Sequence, residues 1–234
     1  MTPTGARTDL AADPSAAVLL DELDARLAAL PRPAATAPLR RLRREYSRRL
    51  AKAAPRQVLA VAHGLLERGG LARRFVAYEL VHVHRATLAS LRMRELQRLG
   101  RGLDGWGPVD AFACYLAGPA WRERQVADAA IHRWARARDR WWRRAALVST
   151  VPLNSKARGG SGDARRTLAA CRLLVDDRDD MVVKAMSWAL RELAKRDPRV
   201  VRRFLLTYRS RLAPRVLREV GNKLATGLKN PRRR

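Results

Sequence analysis

Pro55-Arg-Gln-Val-Leu-Ala-Val-Ala-His-Gly-Leu-Leu-Glu-Arg-Gly-Gly70 decides how this chain is to be read. Proline opens the stretch, at a position where a helix has no N–H bond to lose. Val58, Leu59, Ala62, Leu65 and Leu66 then recur at the three- and four-residue spacing of an apolar helical stripe. Gly69-Gly70 closes it, as glycine closes many helices. Working upstream, Leu39 to Ala53 predicts a densely basic helix carrying RRLRREYSRRL. A Pro/Ala linker (Pro31, Pro33, Pro38) precedes it, and a short amphipathic helix is expected from about Ser15 to Leu30. Residues 1–14 read as disordered. Downstream, the pattern predicts helices at about 71–84, 86–99, 107–117, 121–136, 138–151, 164–176, 179–196, 198–210 and 213–228. Gly100, Gly102, Gly105, Gly118-Pro119, Pro198 and Pro214 punctuate them. Val81-His82-Val83-His84 is the only alternating segment; at four residues inside a helical pattern it reads as no strand.

One helix after another defines an all-α chain. Antiparallel helix pairs with a period near ~40 residues imply an α-solenoid, although no repeat is visible in the sequence itself. A solenoid presents a concave face that basic side chains can line; a globular helical bundle is the competing architecture. The 234 residues hold 49 Lys plus Arg against 22 Asp plus Glu, a net charge of +27. A small domain needs a magnitude of only ~2–8 for solubility. The excess implies a polyanion whose counterions are released on binding. Attraction to an anionic membrane, or simply a genome rich in Arg codons, would also produce such a charge. No run approaches the ~18 apolar residues of a membrane-spanning helix. The N-terminus, with Asp9, Asp13 and Asp21, resembles neither a signal peptide nor an anchor. Cys114 and Cys171 lie far apart without a CxxC partner, as expected in a reducing cytosol and not for zinc. A cytoplasmic, monomeric protein is expected, needing no metal and no cofactor.

Familiar catalytic signatures are missing: HExxH, GxxxxGK[ST], GxSxG and GxGxxG do not occur. His82 and His84 point to different helix faces, and His63 and His132 stand alone. The informative residues are tryptophans among cations. On a helix capped by Asp179, Val182, Met186, Ala189, Leu190 and Leu193 form the apolar stripe. Trp188 falls well off it, beside Lys184, Arg191 and Lys195. Either that indole packs on a neighbouring helix, or it meets a sugar or base while the cations take phosphates. Trp106 and Asp110 are four apart and share a face if their helix begins at Trp106, although Pro108 favours a start near Gly107. Asp110 is then a helix-capping carboxylate, or one held beside an indole to face a cationic transition state. On Trp141-Trp-Arg-Arg144-Ala-Ala, Arg143 is expected to point outward. Arg144 lies close enough to the apolar stripe to need a carboxylate or phosphate partner. The loop Leu153 to Asp163, with Lys156 and Arg158, has glycines that let backbone amides approach a phosphate, and Asp163 can cap the next helix.

Trp106-Gly-Pro-Val-Asp110, Trp141-Trp-Arg-Arg144-Ala-Ala and Lys184-Ala-Met-Ser-Trp188-Ala-Leu-Arg191-Glu-Leu-Ala-Lys195 together resemble the AlkD-like DNA alkylation repair enzymes, over about residues 38 to 229. The resemblance implies HEAT-like helical repeats forming a concave basic cleft around duplex DNA. It also implies hydrolysis of the N-glycosidic bond of N3- and N7-alkylated purines, without extruding the lesion into a pocket. On it, Trp106 and Trp188 match the tryptophans that touch the lesion's deoxyribose. Asp110 matches the catalytic carboxylate, and Arg144 the arginine near the lesion backbone. Residues 1–37 then form an N-terminal segment, 38–229 the repeat domain and 230–234 a basic tail. The family's aromatic-rich N-terminal helices appear here only as an Ala/Pro segment before Leu39, a departure from its pattern.

The residue types suit that chemistry. An alkylated purine already carries positive charge, so its departure leaves a neutral base and an oxocarbenium-like sugar. A carboxylate can stabilise that charge and place a water, and indole faces add cation–π attraction of ~0.5–2 kcal/mol each. Two other readings stay open: a non-catalytic helical-repeat protein that binds duplex or branched DNA, and a helical scaffold for acidic proteins.

Overall fold

A computed structural model describes residues 14–31 and 33–231. The disorder expected for residues 1–14 falls outside them, except for Pro14, which begins a helix. The described residues contain helices and no strand. The chain divides into two compact units, the first ending at Leu91 and the second beginning at Arg92.

The first unit holds α1 (Pro14–Ala28), α2 (Thr36–Arg49), α3 (Pro55–Glu67), α4 (Leu71–Val83) and α5 (Arg85–Ser90). Pro55 opens α3 as the sequence requires, and Gln57 Oε1 accepts from the Ala54 N–H at 2.8 Å. The buried stripe of α3 is Val58, Val61, Ala62 and Leu65, while Leu59 and Leu66 flank it half-buried. α1 packs on α3, α2 and α3 on α4, and α3 on α5. His84 caps α5, its Nδ1 accepting from the Thr87 N–H at 3.2 Å. The acids of α1 serve as ties. Glu22 pairs with Arg49 at 2.6 Å, Asp21 with Arg68, and Asp24 with Arg73. Glu79, 7% exposed, receives Arg43 at 3.0 Å and Arg40 at 3.4 Å.

The second unit runs α6 (Met93–Leu99), α7 (Trp106–Phe112), a π-helical turn (Ala113–Ala117), α8 (Gly118–Arg122), α9 (Asp128–Ala135), α10 (Arg140–Val148), α11 (Val151–Asn154), a 3₁₀ turn (Lys156–Arg158), α12 (Ala164–Arg172), α13 (Asp180–Ala194), α14 (Pro198–Thr207) and α15 (Pro214–Thr226). Helices touch both the next helix and the next but one: α13 packs on α14 and α15, and α10 on α9, α12 and α13. That staircase is compatible with an α-solenoid of helix pairs.

Three sequence expectations are corrected. The helix expected over 86–99 is two helices, broken where Leu91 and Arg92 turn extended; Glu95 accepts from the Arg92 N–H at 3.2 Å and starts α6 anew. Gly118-Pro119 does not end a helix. Pro119 has no N–H to give and its ring crowds the carbonyl four residues back, so the backbone widens into the π turn and continues. The helix expected over 121–136 stops at Arg122, passes Arg124 at φ 58° and resumes at Asp128.

Candidate active site

α7 starts at Trp106, after an extended Gly105, and not at Gly107. Trp106 and Asp110 therefore lie one turn apart on one face. Pro108, Val109 and Phe112 are buried on the other side. There Phe112 meets Trp134 and Trp142 at ring-centroid distances of 5.8 and 5.9 Å. This packing sorts the tryptophans: Trp121 and Trp134 are core, whereas Trp106 is 63% exposed.

Arg144 comes from α10, which Asp139 caps by accepting from the Trp141 N–H at 2.8 Å. It is 5% exposed, and the partner its position demanded is a carboxylate. Nε donates to Asp110 Oδ1 at 2.9 Å and Nη2 to Oδ2 at 2.8 Å, while Nη1 donates to the Met181 carbonyl. A two-pronged pair of this kind fixes both groups in orientation. Burial pushes the Asp110 carboxyl above the ordinary carboxylate range; the bonds and charge of Arg144, and the charge of Arg158, pull against that rise. Arg143 does not point outward: Nε donates to Asp177 Oδ2 at 2.7 Å, and Nη1 donates to the carbonyls of Ala137 and Arg138. A guanidinium between loop carbonyls and an acid is a structural clamp.

α13 is capped by Asp179, which accepts from Met181 and Val182 N–H at 2.9 and 3.3 Å. Val182, Met186, Ala189, Leu190 and Leu193 are buried as expected, and Trp188 stays half-buried off that stripe. Trp106, Asp110, Arg144, Met181, Lys184, Trp188, Arg191 and Lys229 line one cleft of about 380 Å³. Its cations are held. Lys184 Nζ is 2.6 Å from Asp180 Oδ2. Arg191 Nε donates to Ser187 Oγ at 3.2 Å, and that hydroxyl donates to the buried Glu219 at 2.6 Å. Lys229 Nζ is 3.5 Å from the other oxygen of Glu219. Burial pulls Arg191 below its ordinary value, against the charges of Glu219 and Glu192.

Six of the nine expected site residues thus line the cleft, and Lys156, Arg158 and Lys195 do not. Lys195 pairs with Glu192 at 2.7 Å, and Arg158 lies 5.7 Å over the Tyr115 ring. The glycine-rich loop is no phosphate cradle. Its Gly159, Gly160 and Gly162 amides already donate to Lys156, Ser155 and Leu153 carbonyls. Gly160 is required for space, since a Cβ there would sit 2.5 Å from the Pro152 oxygen. Asp163 does cap α12, accepting from the Arg166 N–H at 2.8 Å.

Sequence reasoning missed Lys229 and Glu219. The legible signal was an acid on the apolar face of α15, where Val216, Glu219 and Val220 are buried together. Among the described residues no group of His, Cys, Asp and Glu could hold a metal ion, and no helix is long and apolar enough to cross a membrane. Burial pushes the Cys114 and Cys171 thiols up to about 12, which leaves them poor nucleophiles. Residues 34–224 match a family model described as DNA alkylation repair enzyme. No curated protein and no solved structure gives a match.

Proposed function

The chain belongs to the DNA alkylation repair enzyme family, and from that premise we propose that the cleft hydrolyses the N-glycosidic bond of N3- or N7-alkylated purines in duplex DNA. The observation that carries this reading is a half-buried, arginine-held carboxylate flanked by two accessible indoles. The C1′–N bond breaks with its electron pair leaving on the base, which departs neutral. Water then adds to C1′, and the surplus proton passes to solvent. Asp110 opposes the sugar's developing charge and orients the water. Trp106 and Trp188 present ring faces to it, and Arg144 holds Asp110 in place. Lys184 and Arg191 take the adjoining phosphates, and Lys156, Arg158 and Lys195 act farther along the duplex. The lesion is taken to stay in the stack during catalysis, as the family resemblance implies. The protein acts as a monomer in the cytoplasm, on nucleoid DNA.

One feature favours the second reading, a protein that binds DNA without turnover: both oxygens of Asp110 are already engaged by Arg144. Each oxygen keeps a free lone pair for water. Incubation with duplex containing 7-methylguanine separates the two. Release of free base above the buffer rate is expected, and its absence leaves only binding.

A further inference from the structure

Glu219 is an acid where an apolar residue would be expected. It shares the buried stripe of α15 with Val216 and Val220, and α15 packs on α13. Taking a carboxylate out of water is costly unless charge and hydrogen bonds offset it. Both partners of Glu219 lead to the cleft. Oε2 accepts from Ser187 Oγ at 2.6 Å, which turns the lone pairs of that hydroxyl toward Arg191, whose Nε donates to it at 3.2 Å. Oε1 is 3.5 Å from Lys229 Nζ. The backbone around Lys229 is tied as well. Asn222 Nδ2 donates to its carbonyl at 3.1 Å, and the Leu228 N–H donates to Thr226 Oγ1 at 3.2 Å. Arg191 spends only Nε on Ser187; its Nη1 and Nη2 have no hydrogen-bond partner among the described residues, and the side chain lines the cleft.

Two cations thus share one carboxylate, in the same cleft as Asp110. That cleft meets two conflicting demands. Cations attract a phosphodiester strand, yet they oppose a sugar on which positive charge develops. A buried acid beneath the cations answers both. It leaves their outer donors facing the cleft, and it subtracts one unit of charge from the field at the sugar. A unit charge ~10 Å away, at an effective dielectric of ~20, changes a rate on the order of 10-fold. We propose that Glu219 is a positioning counter-charge of the cleft: through Ser187 it aims Arg191, it latches Lys229, and it lowers duplex affinity in favour of turnover. The turnover half rests on the glycosylase reading; the affinity half needs only duplex DNA as the ligand.

The test uses the full chain, with circular dichroism as the check on folding. Glu219→Gln keeps the shape and an acceptor for Ser187 while removing the charge. Against an undamaged fluorescent duplex, its slope of log K against log salt should steepen by ~0.9, one more cation released to a phosphate. Base release from 7-methylguanine duplex at saturating protein should slow on the order of 10-fold. Loss of a merely structural residue lowers affinity and release together; that parallel loss overturns the proposal, and so does an unchanged slope. Glu219→Gln/Lys229→Ala restores the net charge and should recover both readings, and no recovery overturns the latch. Should Glu219→Gln fail to fold, Lys229→Ala alone decides, at an exposed side chain. Duplex affinity should fall while release at saturating protein quickens, and slower release overturns the proposal. A wild type that releases no base refutes the glycosylase reading by itself, and the slope then upholds or overturns the counter-charge.

Discussion

A cavity in the first unit, lined by Arg41, Arg43, Arg44, Arg48 and Arg85, and the cleft of the second are both basic, yet their cations are held differently. Around the cleft, Arg144, Lys184, Arg191 and Lys229 each have a partner, ending on Asp110, Asp180, Ser187 and Glu219. Around the cavity Arg43 is tied to Glu79, while Arg41, Arg44, Arg48 and Arg85 stand exposed and unpaired. Pinned charge suits chemistry, where groups must stay within tenths of an ångström of a productive geometry. Free charge can follow an anion without holding one geometry. Of the two linings, the cleft's holds indoles and a carboxylate and the cavity's holds neither.

Four measurements sharpen or break that contrast. Asp110→Asn is expected to cut base release on the order of 10²–10³-fold, the scale for losing one preorganised electrostatic group, with duplex affinity unchanged. Equal losses of binding and turnover would make Asp110 a binding residue and not a catalytic one. Arg144→Ala should destabilise the fold by about 1–3 kcal/mol, because it leaves the half-buried Asp110 carboxylate without its hydrogen-bond donors; urea unfolding followed by circular dichroism reads this. Trp106→Ala, at an exposed side chain, should leave the melting temperature alone and slow release by about 2–30-fold, the kinetic equivalent of ~0.5–2 kcal/mol.

The smallest effect is in pH. Burial raises Asp110 above its ordinary 3.8, so the acid limb of turnover should fall above that value, and Asp110→Asn should remove it. Stability carries the opposite sign. A raised native value gives a contribution that is complete below 3.8 and lost as pH rises through the native midpoint. A limb at or below 3.8 would mean that Arg144 outweighs burial.

Periodicity made the helices legible, and with them the face of Trp188, because α13 is buried along one regular stripe. The same arithmetic failed at Arg143, since a long side chain can fold back onto the carbonyls of Ala137 and Arg138. It failed at Pro119 because a π turn absorbs what an α-helix cannot. Asp110 and Arg144 were each readable as residues needing a partner, but the pairing of one with the other spans 34 positions and depends on how α7 and α10 pack. Lys229 was invisible for the same reason: only the turn at Gly227, at φ 75°, brings it back to Glu219.

Glu219 is 4% exposed and sits beneath both Arg191 and Lys229. A substitution on the hidden side of α15, remote from any DNA in sequence and invisible from outside, can therefore reset two side chains of the cleft at once. Retuning the cleft therefore begins underneath it, where one acid sets the posture of two cations.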